Sequence, residues 1–550
     1  MLSRARLASA LFLTGFLVHA PLRAQADAAA RYAVIPRPAV LAPAAGQYTI
    51  TFKTGIQSSA AFRRVAHRFA RDLANPTGLD LAVTALPASG TGPAAASTGI
   101  QLRQIDGLPS EGYRLDVSPR GIVVQASDEA GAFYALETVK QLLPPSIFRA
   151  APVGPTTWAV PAVHIEDAPR FRWRGAHLDA GRHFMPTEFV KKYIDLLARH
   201  KMNRFHWHLT EDQGWRLEIR KYPRLTAVGS CRPFTLVGKH VEDPAKRVYD
   251  GRRHCGFYTQ DDVREVVAYA AERMVTVVPE IEMPGHSQAA VAAYPMLSSR
   301  PDTTPGVYTA WGVSPFILNP TDSTVAFMQD VLREVLELFP GPWIHIGGDE
   351  AIKDQWKANP AIQARIKALG LKDEHEMQSW FIRQMDRFLT ANGRRLIGWD
   401  EILEGGLAEN ATVMSWRGMA GGIAAAKAKH DVVMAPGSHT YFDHYQSQDQ
   451  TREPLAIGGF TNVEKVYGFE PVPPELTPAE ATYILGAQAQ LWTEYIPNPK
   501  HAEYMAYPRL VALAEVVWTP KARRDYADFS GRLSHHLHRL DAMDVNYRTP

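Results

Sequence analysis

The segment WIHIGGDEA, Trp343 to Ala351, ends an apolar run in two glycines and two consecutive carboxylates, Asp349 and Glu350. Paired carboxylates are the groups that most often hydrolyse glycosidic bonds, and the ordinary mechanisms place them across the scissile bond from each other. Consecutive side chains of a straight strand point to opposite faces, but Gly347 and Gly348 permit a turn that swings both carboxylates to the same side. If the protein is a hydrolase, the segment leaves open which group is the nucleophile.

Other candidate strands also end in groups suited to holding a sugar. Aromatic faces stack on the apolar faces of pyranose rings, whereas carboxylates and arginine hydrogen-bond to the hydroxyls. Each residue alone has a structural explanation: a tryptophan is often rim packing, Asp349 can cap a helix, and Asp212 or His286 alone is more often structural than catalytic. Their shared position at strand ends favours a carbohydrate pocket. The set comprises Asp179, Arg182, Glu211, Asp212, Glu280, Glu282, His286, Asp349, Glu350, Trp399, Asp400, Glu401, Trp416, Tyr441, Asp443, Trp492 and Glu494.

From Phe171 onward the sequence repeats a pattern of apolar strand, polar tip and helix. Alternating strands and helices require right-handed crossovers and a parallel sheet. Eight such units favour a closed (β/α)8 TIM barrel over an open doubly wound sheet, and the active site of such barrels lies at the carboxyl ends of the strands. The eight candidate strands are FRWRGAHLDA, RFHWHLT, VTVVPEIEM, WIHIGG, RRLIGW, TVMSW, DVVMAPG and ILGAQAQLW.

The residues that precede the barrel predict a small α/β domain. QYTITF, EGYRLDV and GIVVQAS have strand patterns, and two intervening or following segments have helical spacing. The proline-rich stretch PPSIFRAAPVGPTTWAVPAV is predicted to be the linker that leaves this domain. The expected organisation is a signal peptide at residues 1–26, an N-terminal α/β domain at residues 27–165 and a catalytic barrel at residues 166–550.

Composition and charge disfavour several classes of partner. The 550 residues are 46% hydrophobic and 21% charged, which is typical of globular proteins with a large core. A formal net charge of +3, with no long run of Lys and Arg, argues against a nucleic acid partner. No long apolar run follows the first 26 residues, so no membrane span is expected. The oligomeric state is left open.

The first 26 residues and the cysteines indicate export. Arg4 and Arg6 precede the apolar run LASALFLTGFLVHA, and AQA at residues 24–26 offers a small-x-small cleavage site. The run is shorter than the roughly 20 residues of a spanning helix, so a periplasmic or secreted location is expected. The two cysteines, Cys231 and Cys255, share one polar segment. A disulfide worth on the order of 3 kcal/mol is favoured over a zinc site, which two thiols do not complete.

These motifs resemble the family-20 glycoside hydrolases, the β-N-acetylhexosaminidases. HIGGDE is similar to that family's active-site signature, and the segments RGAHLDAGRHF, FHWHLTEDQGWR, VVPEIEMPGH, GWDE, HTYFD and QLWTE resemble its other blocks in the family's order. The resemblance spans roughly Arg170 to Trp518, and the preceding α/β domain is similar to the family's usual N-terminal companion. It implies a retaining, substrate-assisted mechanism in which the substrate's own 2-acetamido oxygen is the nucleophile.

The resemblance also implies roles for the site residues. Glu350 matches the general acid and base, and Asp349 matches the residue that orients the acetamido group. Asp212 and His286 look like a relay behind Glu350. The pKa values of the two carboxylates must differ, with Glu350 protonated and Asp349 ionised or hydrogen-bonded to the amide. The expected substrate contacts are Arg174, as a donor to the 3- and 4-hydroxyls, and Trp399, Trp416, Tyr441, Asp443, Trp492 and Glu494.

The favoured function is an exported exo-β-N-acetylhexosaminidase that removes terminal β-linked GlcNAc or GalNAc from chitooligosaccharides or glycans. An endo-acting chitinase is disfavoured because family-18 enzymes carry their carboxylates at alternating positions, and a non-catalytic sugar-binding protein has little need for a buried acid. No metal or other cofactor is implied, because the carboxylates lack histidine or cysteine at ligand spacing in the sequence. Glu211 and Glu282 stand at positions that vary among relatives, and neither is assigned to catalysis.

Overall fold

The computed structural model describes residues 31–86, 98–300 and 302–550. The predicted signal peptide at residues 1–26 lies outside the described residues. The described chain forms an open sheet with helices, followed by a closed barrel, as the sequence predicts. Within the described ranges, no helix combines the length and the apolar character that crossing a bilayer requires.

The N-terminal unit is a seven-stranded mixed sheet. Its strands are β1 Val40–Thr49, β2 Ile56–Ser58, β3 Val83–Ala85, β4 Gly99–Gln104, β5 Tyr113–Ser118, β6 Gly121–Ala126 and β7 Ala159–Asp167. They lie in the order β1-β7-β5-β6-β4-β2-β3. The helices Arg63–Thr77 and Glu129–Leu142 pack against the sheet, and the second is buried along nearly its whole length. Alternate residues of β5 are buried, which is the pattern of a strand with one covered face.

The prediction that the proline-rich stretch is a linker is wrong for residues 159–163. These residues begin strand β7, which pairs with β1 on one side and β5 on the other. Pro161 pairs with Gln47 of β1, but the pairing with β5 starts only at Val163. Pro161 therefore lies where β7 has a ladder partner on one side only, a position that tolerates a proline.

The second unit is a closed eight-stranded parallel barrel, and all eight candidate strands belong to it. Its strands are β8 Trp173–Asp179, β9 Arg204–His208, β14 Thr276–Glu280, β15 Trp343–His345, β16 Arg395–Trp399, β17 Thr412–Ser415, β18 Val432–Met434 and β19 Ile484–Ala489. Between β9 and β14 lie two short antiparallel pairs, β10 Thr210–Glu211 with β11 Gly214–Trp215, and β12 Cys231–Arg232 with β13 His254–Cys255. Most barrel-strand residues are buried on both faces, as expected where helices cover the barrel.

The helices around the barrel begin at residues that satisfy their first backbone N–H groups. Thr259 and Asp262 form a capping box, and Asp373 accepts hydrogen bonds from two backbone N–H groups of the helix that follows it. The longer helices are Thr187–Arg199, Gln260–Ala271, Asp322–Leu338, Pro360–Ala368, Glu374–Ala391, Ala420–Lys427, Pro499–Ala506, Arg509–Trp518 and Tyr526–Ala542. The shorter ones are Arg224–Ala227, Gln288–Ala293, Asp354–Ala358, Gly437–Thr440, Val463–Tyr467 and Pro478–Ala481.

A disulfide joins Cys231 and Cys255. The two residues lie directly opposite each other in the β12–β13 pair. The bond therefore closes the base of the loop that connects β12 to β13. It restricts the conformational freedom of that loop.

Arg174 holds the two units together, and the expectation that it contacts a sugar is wrong. Its fully buried guanidinium donates to the Glu111 carboxylate at 2.8 and 3.1 Å and to the Tyr134 hydroxyl at 3.1 Å. Its Nε donates to the Lys201 carbonyl at 2.7 Å. Arg174 is the second residue of β8, so its side chain lies at the amino-terminal end of the barrel and reaches the N-terminal unit.

We predict that Arg174→Met lowers the free energy of unfolding by about 3–5 kcal/mol, because one partner of a buried ion pair is lost and Glu111 is left uncompensated. Burial opposes ionisation of Glu111, yet the charge of Arg174 lowers the pKa of that carboxyl below its ordinary value. Urea unfolding measures the difference. The exposed Arg172→Met is the matched control and should stay within about 0.5 kcal/mol of the parent. Equal stability of the two variants would contradict the role of Arg174.

Candidate active site

A cavity of about 360 Å³ opens at the carboxyl-terminal ends of the barrel strands. Its volume lies within the range of small-molecule sites. Of the residues predicted for the site, His286, Asp212 and Arg174 do not line it. Its lining consists of Arg182, Asp349, Glu350, Trp399, Trp416, Tyr441, Asp443, His444, Ile457, Gly458, Gly459, Trp492 and Glu494.

The turn after β15 brings two consecutive carboxylates into this cavity. Gly347 and Gly348 have φ values of 67° and 93°, in the region that favours glycine. A Cβ on Gly347 would lie 1.7 Å from the Glu282 carboxylate, so no other residue fits there without rearrangement. Glu350 also has a positive φ, 45°, which is uncommon outside glycine and costs of order 1–3 kcal/mol. The turn therefore holds Asp349 and Glu350 in a geometry that the surrounding fold must enforce.

Four aromatic side chains form the walls of the cavity. The rings of Trp416 and Tyr441 lie 6.1 Å apart with an interplanar angle of 22°, and those of Trp399 and Trp492 lie 5.7 Å apart. The indole N–H of Trp399 donates to Glu280 at 2.8 Å, and that of Trp416 donates to Glu401 at 2.9 Å. Because two of the indoles are anchored, their faces are fixed before any ligand binds.

Several buried polar atoms at the cavity have no hydrogen-bond partner within the described part of the chain. They are Oδ1 of Asp349, Oδ1 of Asp443, Oε2 of Glu494 and Nε of Arg182. Buried polar groups in proteins are otherwise almost always hydrogen-bonded. Together these atoms offer acceptors and a donor to a polar ligand.

Arg182 is the arginine of the cavity, in place of Arg174. Its guanidinium lies 3.1 Å from Glu211, 3.4 Å from Asp179 and 4.0 Å from Glu494, and it lies over the ring of Trp492. Arg182 follows the carboxyl-terminal end of β8, whereas Arg174 lies near its amino-terminal end. Arg182 is among the strand-end residues that the sequence places in the candidate pocket, whereas only the family resemblance implies a sugar contact for Arg174.

His286 lies behind the two carboxylates and contacts both. Its Nε2 is 3.4 Å from Glu350 Oε2 and 3.6 Å from Asp349 Oδ2. On the other side of the ring, Nδ1 is 2.7 Å from Glu211 and 3.4 Å from Asp212. Glu211, which the sequence places among the polar strand ends without a catalytic assignment, is therefore the nearer partner of His286.

Asp212 mainly anchors loops. Its Oδ1 accepts the backbone N–H of Gln288 at 2.9 Å, and its Oδ2 accepts that of Ser314 at 3.2 Å. Asp212 and Glu211 are consecutive, so the sequence alone does not decide which of them faces the histidine. The close bond to Glu211 favours that residue as the main support of His286.

A buried line of contacts runs from Glu350 to the aromatic wall. Glu211 accepts from His286 with one oxygen and from His208 Nε2, at 3.1 Å, with the other. His208 Nδ1 bonds to Glu280, which accepts the indole N–H of Trp399 at 2.8 Å. Two carboxylates thus alternate with two imidazoles between Glu350 and Trp399. Each member of the line fixes the orientation of the next.

Histidines surround Glu280, so the expectation that the carboxylates lack histidine at ligand spacing is wrong. His206, His208 and His345 lie within hydrogen-bond distance of Glu280, and His177 lies 4.0 Å away. His206 and His208 lie on β9 and His345 lies on β15, the two strands that pair with β14, and a linear sequence does not show these residues to be adjacent. The groups spaced to hold a metal ion are His177 with His208 and Glu280, His206 with Glu280 and His345, Glu211 with Asp212 and His286, and His286 with Asp349 and Glu350.

The protonation of His208 works against ligation of a metal ion by that residue. Burial opposes a positive charge on His208, but Glu280 and Glu211 raise its pKa to about 10. A protonated imidazole has no lone pair for a metal ion. Neighbouring histidines in turn hold the pKa of Glu280 well below its ordinary value despite its burial. His208 and Glu280 form a hydrogen-bonded ion pair in the barrel interior.

The pKa values of the two consecutive carboxylates are pushed apart, but in the direction opposite to the prediction. Burial raises the pKa of Asp349 to about 7. The hydrogen bond from His286 lowers the pKa of Glu350, whose side chain is 42% exposed against 10% for Asp349. Without a ligand, Asp349 therefore holds the proton that the predicted chemistry requires on Glu350. The difference arises because the hydrogen bond from His286 outweighs burial at Glu350, whereas burial dominates at Asp349.

Glu282 is a buried acid directly beneath the glycine turn. Its side chain is 1% exposed, and neither of its carboxyl oxygens has a partner among the described residues. Burial and the charge of Asp349 raise its pKa well above the ordinary value. Glu282 therefore keeps its proton to a higher pH than an exposed glutamic acid does, and its carboxyl fills the space that a glycine at position 347 leaves open.

Comparisons with known proteins agree with this geometry. The sequence profile of the catalytic domain of glycosyl hydrolase family 20 matches residues 171–521, and that of domain 2 of the same family matches residues 31–168. A beta-hexosaminidase of Porphyromonas gingivalis is 47% identical over 522 residues, which cover 94% of this chain. This chain spans 64% of the length of that relative.

Solved structures are also similar. The family-20 β-N-acetylhexosaminidase of Streptomyces coelicolor superposes with a TM-score of 0.80 at 33% identity, over 94% of this chain and 98% of the other. The exo-β-N-acetylglucosaminidase of Vibrio harveyi, solved in complex with N-acetylglucosamine, has a TM-score of 0.80 at 32% identity, over 94% of this chain and 79% of the other. These similarities cover both the sheet unit and the barrel.

We predict that Glu282→Gln is more stable than the parent near neutral pH and that the gap closes on acidification. A carboxyl whose folded pKa is raised contributes stability that is fully present below its unfolded pKa, about 4.3, and is lost as the pH rises toward the folded pKa. Between these two pKa values the free energy of unfolding of the parent falls by about 1.4 kcal/mol per pH unit. Glutamine does not titrate, so the variant keeps its stability over this range. Urea unfolding at pH 5 and pH 7 measures the gap, with the exposed Glu475→Gln as control. A gap that does not change with pH would refute a protonated Glu282.

Proposed function

The chain belongs to glycosyl hydrolase family 20, and from this premise we propose that it is an exo-acting β-N-acetylhexosaminidase. In this proposal it releases single terminal β-linked GlcNAc or GalNAc residues from the non-reducing ends of chitooligosaccharides or glycans. A cavity of about 360 Å³ with aromatic walls and a few convergent polar atoms suits one sugar residue.

The observation that carries the proposal is the pair of consecutive carboxylates in one cavity, with Asp349 Oδ1 buried and unpartnered within the described residues. An acetamido N–H is the donor that this oxygen lacks. A carboxylate bound to the amide nitrogen increases the nucleophilicity of the amide oxygen, which then attacks the anomeric carbon. Asp349 stabilises the positive charge that develops on the nitrogen. No enzyme nucleophile is required.

Glu350 is the proton donor in this mechanism. It protonates the glycosidic oxygen as the bond to the anomeric carbon breaks, and it then removes a proton from the water that opens the oxazolinium intermediate. Two inversions at the anomeric carbon give overall retention. Adjacent carboxylates suit these two tasks, since only Glu350 has to reach the bridging oxygen.

In this proposal, substrate binding moves the proton of the carboxylate pair from Asp349 to Glu350. A bound sugar removes water from Glu350 and so raises its pKa, whereas a hydrogen bond from the amide lowers the pKa of Asp349. Nε2 of His286 lies within 3.6 Å of both carboxylates, so this nitrogen can give its proton to Glu350 and take the proton of Asp349 in return. The state with an ionised Asp349 and a protonated Glu350 is then favoured in the complex.

The remaining polar atoms of the cavity supply specificity for the sugar. Arg182, Asp443 and Glu494 offer donors and acceptors to the ring hydroxyls, and their burial makes an unpaired contact costly. The indoles of Trp399, Trp416 and Trp492 provide faces for the ring and the acetyl methyl. A sugar that lacks the acetamido group would leave Asp349 unpaired.

We also propose that the protein is exported through a signal peptide at residues 1–26, which lie outside the described residues. Arg4 and Arg6 before an apolar run and the AQA sequence support this proposal. The disulfide between Cys231 and Cys255 supports it independently, since such bonds persist in oxidising compartments.

We predict that an aryl β-glucoside is a far poorer substrate than the aryl β-N-acetylglucosaminide with the same leaving group. Loss of the intramolecular nucleophile should lower kcat/KM by at least about 10³-fold, because well-oriented intramolecular attack is worth far more than this. Release of the aryl chromophore measures both rates. Comparable turnover of the two substrates would exclude substrate assistance.

We predict that Glu350→Gln lowers kcat/KM for chitobiose by about 10²–10⁴-fold and has a smaller effect with a dinitrophenyl leaving group, which needs no protonation. For the parent, kcat/KM should fall above about pH 7, where the carboxylate pair loses its last proton. Glu404→Gln, a partly exposed acid outside the cavity lining, is the control and should behave like the parent. Equal losses for both leaving groups would remove Glu350 from proton transfer.

A further inference from the structure

A second cavity, of about 500 Å³, lies beside the first. The two share Glu494, and a single loop borders both, with Leu455 lining the second and Ile457 the first. Trp311 and Tyr495 lie in the wall of the second cavity, with ring centroids 6.2 Å apart. When the terminal sugar of a substrate lies in the first cavity, the rest of the substrate can extend into the second.

The mouth of this pair of cavities is unusually apolar. Val237, Leu455 and Ile457 are 53%, 40% and 46% exposed, although large apolar side chains are mostly buried. All three line one cavity or the other. Clustered exposed apolar groups beside a cavity are typical of ligand-binding grooves. Here they offer a surface to the apolar face of a second sugar ring.

The second cavity also carries a positive charge. Arg252 and Arg253 line it, and neither guanidinium contacts a carboxylate in the part of the chain that the structure describes. His183 and His254 line it too, but burial lowers their pKa values to about 4 and about 2, so both are neutral near pH 7. The charge near neutral pH is therefore that of the two arginines.

Two carboxyl groups in the wall offset this charge only in part. Asp250 accepts the backbone N–H groups of Thr235 and Arg252, at 2.8 and 3.0 Å, and so faces its own turn. Burial raises the pKa of Glu494, which lies 4.0 Å from Arg182 in the first cavity. The side chains of Arg252 and Arg253 remain available to an anion.

The loop that carries the arginines is held in place. The disulfide closes its base, and Arg253 lies two residues before Cys255. The N–H of Leu236 donates to the carbonyl of Thr309 at 2.9 Å, and that of His240 donates to the Tyr495 hydroxyl at 3.1 Å. A fixed loop loses little conformational entropy when a ligand binds.

We propose that the second cavity binds the sugar that follows the cleaved bond and that Arg252 and Arg253 select a sugar carrying an anionic group. This inference rests on the proposed function, because it assumes that the terminal N-acetylhexosamine occupies the first cavity. The ligand chemistry is a carboxylate, as in a uronic acid, or a sulfate ester on an otherwise neutral sugar. Arginine pairs with either anion through two parallel N–H bonds.

The test compares three disaccharides that differ at one position: GlcNAc β-1,4-linked to glucose, to glucuronic acid and to glucose 6-sulfate. We expect kcat/KM to be about tenfold higher for a charged disaccharide than for the neutral one at low salt, from two partly exposed ion pairs. The preference should shrink at high ionic strength. The larger of the two preferences identifies the anion.

The double variant Arg252→Ala/Arg253→Ala should hydrolyse charged and neutral disaccharides with about equal kcat/KM. Its kcat/KM for an aryl β-N-acetylglucosaminide should stay within about twofold of the parent. Lys246→Ala/Arg264→Ala removes the same charge from exposed positions outside both cavities and should retain the preference. Equal rates for charged and neutral disaccharides, or a preference that survives the loss of both arginines, would overturn the proposal. Failure to release any N-acetylhexosamine, including from the aryl substrate, would instead refute the proposed function.

Discussion

The left-handed turn at Gly347 and Gly348 is the constraint on which the site depends. It ends β15 at the carboxyl end of the barrel and turns two consecutive side chains toward one cavity. The Glu282 carboxyl occupies the space that a Cβ at position 347 would need, and Glu350 itself keeps an unfavourable positive φ. A conformation of this kind persists only where the surrounding packing enforces it. The division of labour that we propose for Asp349 and Glu350 rests on that geometry.

Behind the turn, a buried network of acids and histidines keeps the two carboxylates and Trp399 in place. Glu211 connects His286 to His208, and Glu280 connects His208 to the indole of Trp399. Such a network is stabilising only when its members are paired, because each isolated charge would be costly in the barrel interior. The same contacts therefore serve stability and orientation. Among the described residues, four of the buried polar atoms without a partner lie at the cavity, on Arg182, Asp349, Asp443 and Glu494.

The sequence predicted the barrel, its eight strands and the walls of the cavity, because buried strands and polar strand ends are local patterns. It failed where the outcome depends on long-range geometry. Arg174 and Arg182 belong to one motif, but they lie at opposite ends of β8. Glu211 and Asp212 are consecutive, and only the fold decides which faces His286. The short strands β2 and β3, three residues each, carry too little periodicity to be recognised. The order of the carboxylate pKa values depends on the burial of Asp349 and on the hydrogen bond from His286 to Glu350, which no motif encodes.

In the proposed mechanism, Asp349 accepts a hydrogen bond from the amide of the sugar while Glu350 protonates the bridging oxygen. A crystal structure with an N-acetylglucosamine thiazoline, a stable mimic of the cyclic intermediate, tests this claim most directly. The account predicts the thiazoline ring in the first cavity, with its nitrogen about 2.7–3.1 Å from Asp349 Oδ1 and with Glu350 facing the anomeric carbon from the leaving-group side. A mimic bound with its nitrogen away from Asp349, or with the two carboxylates splayed apart, would contradict the account.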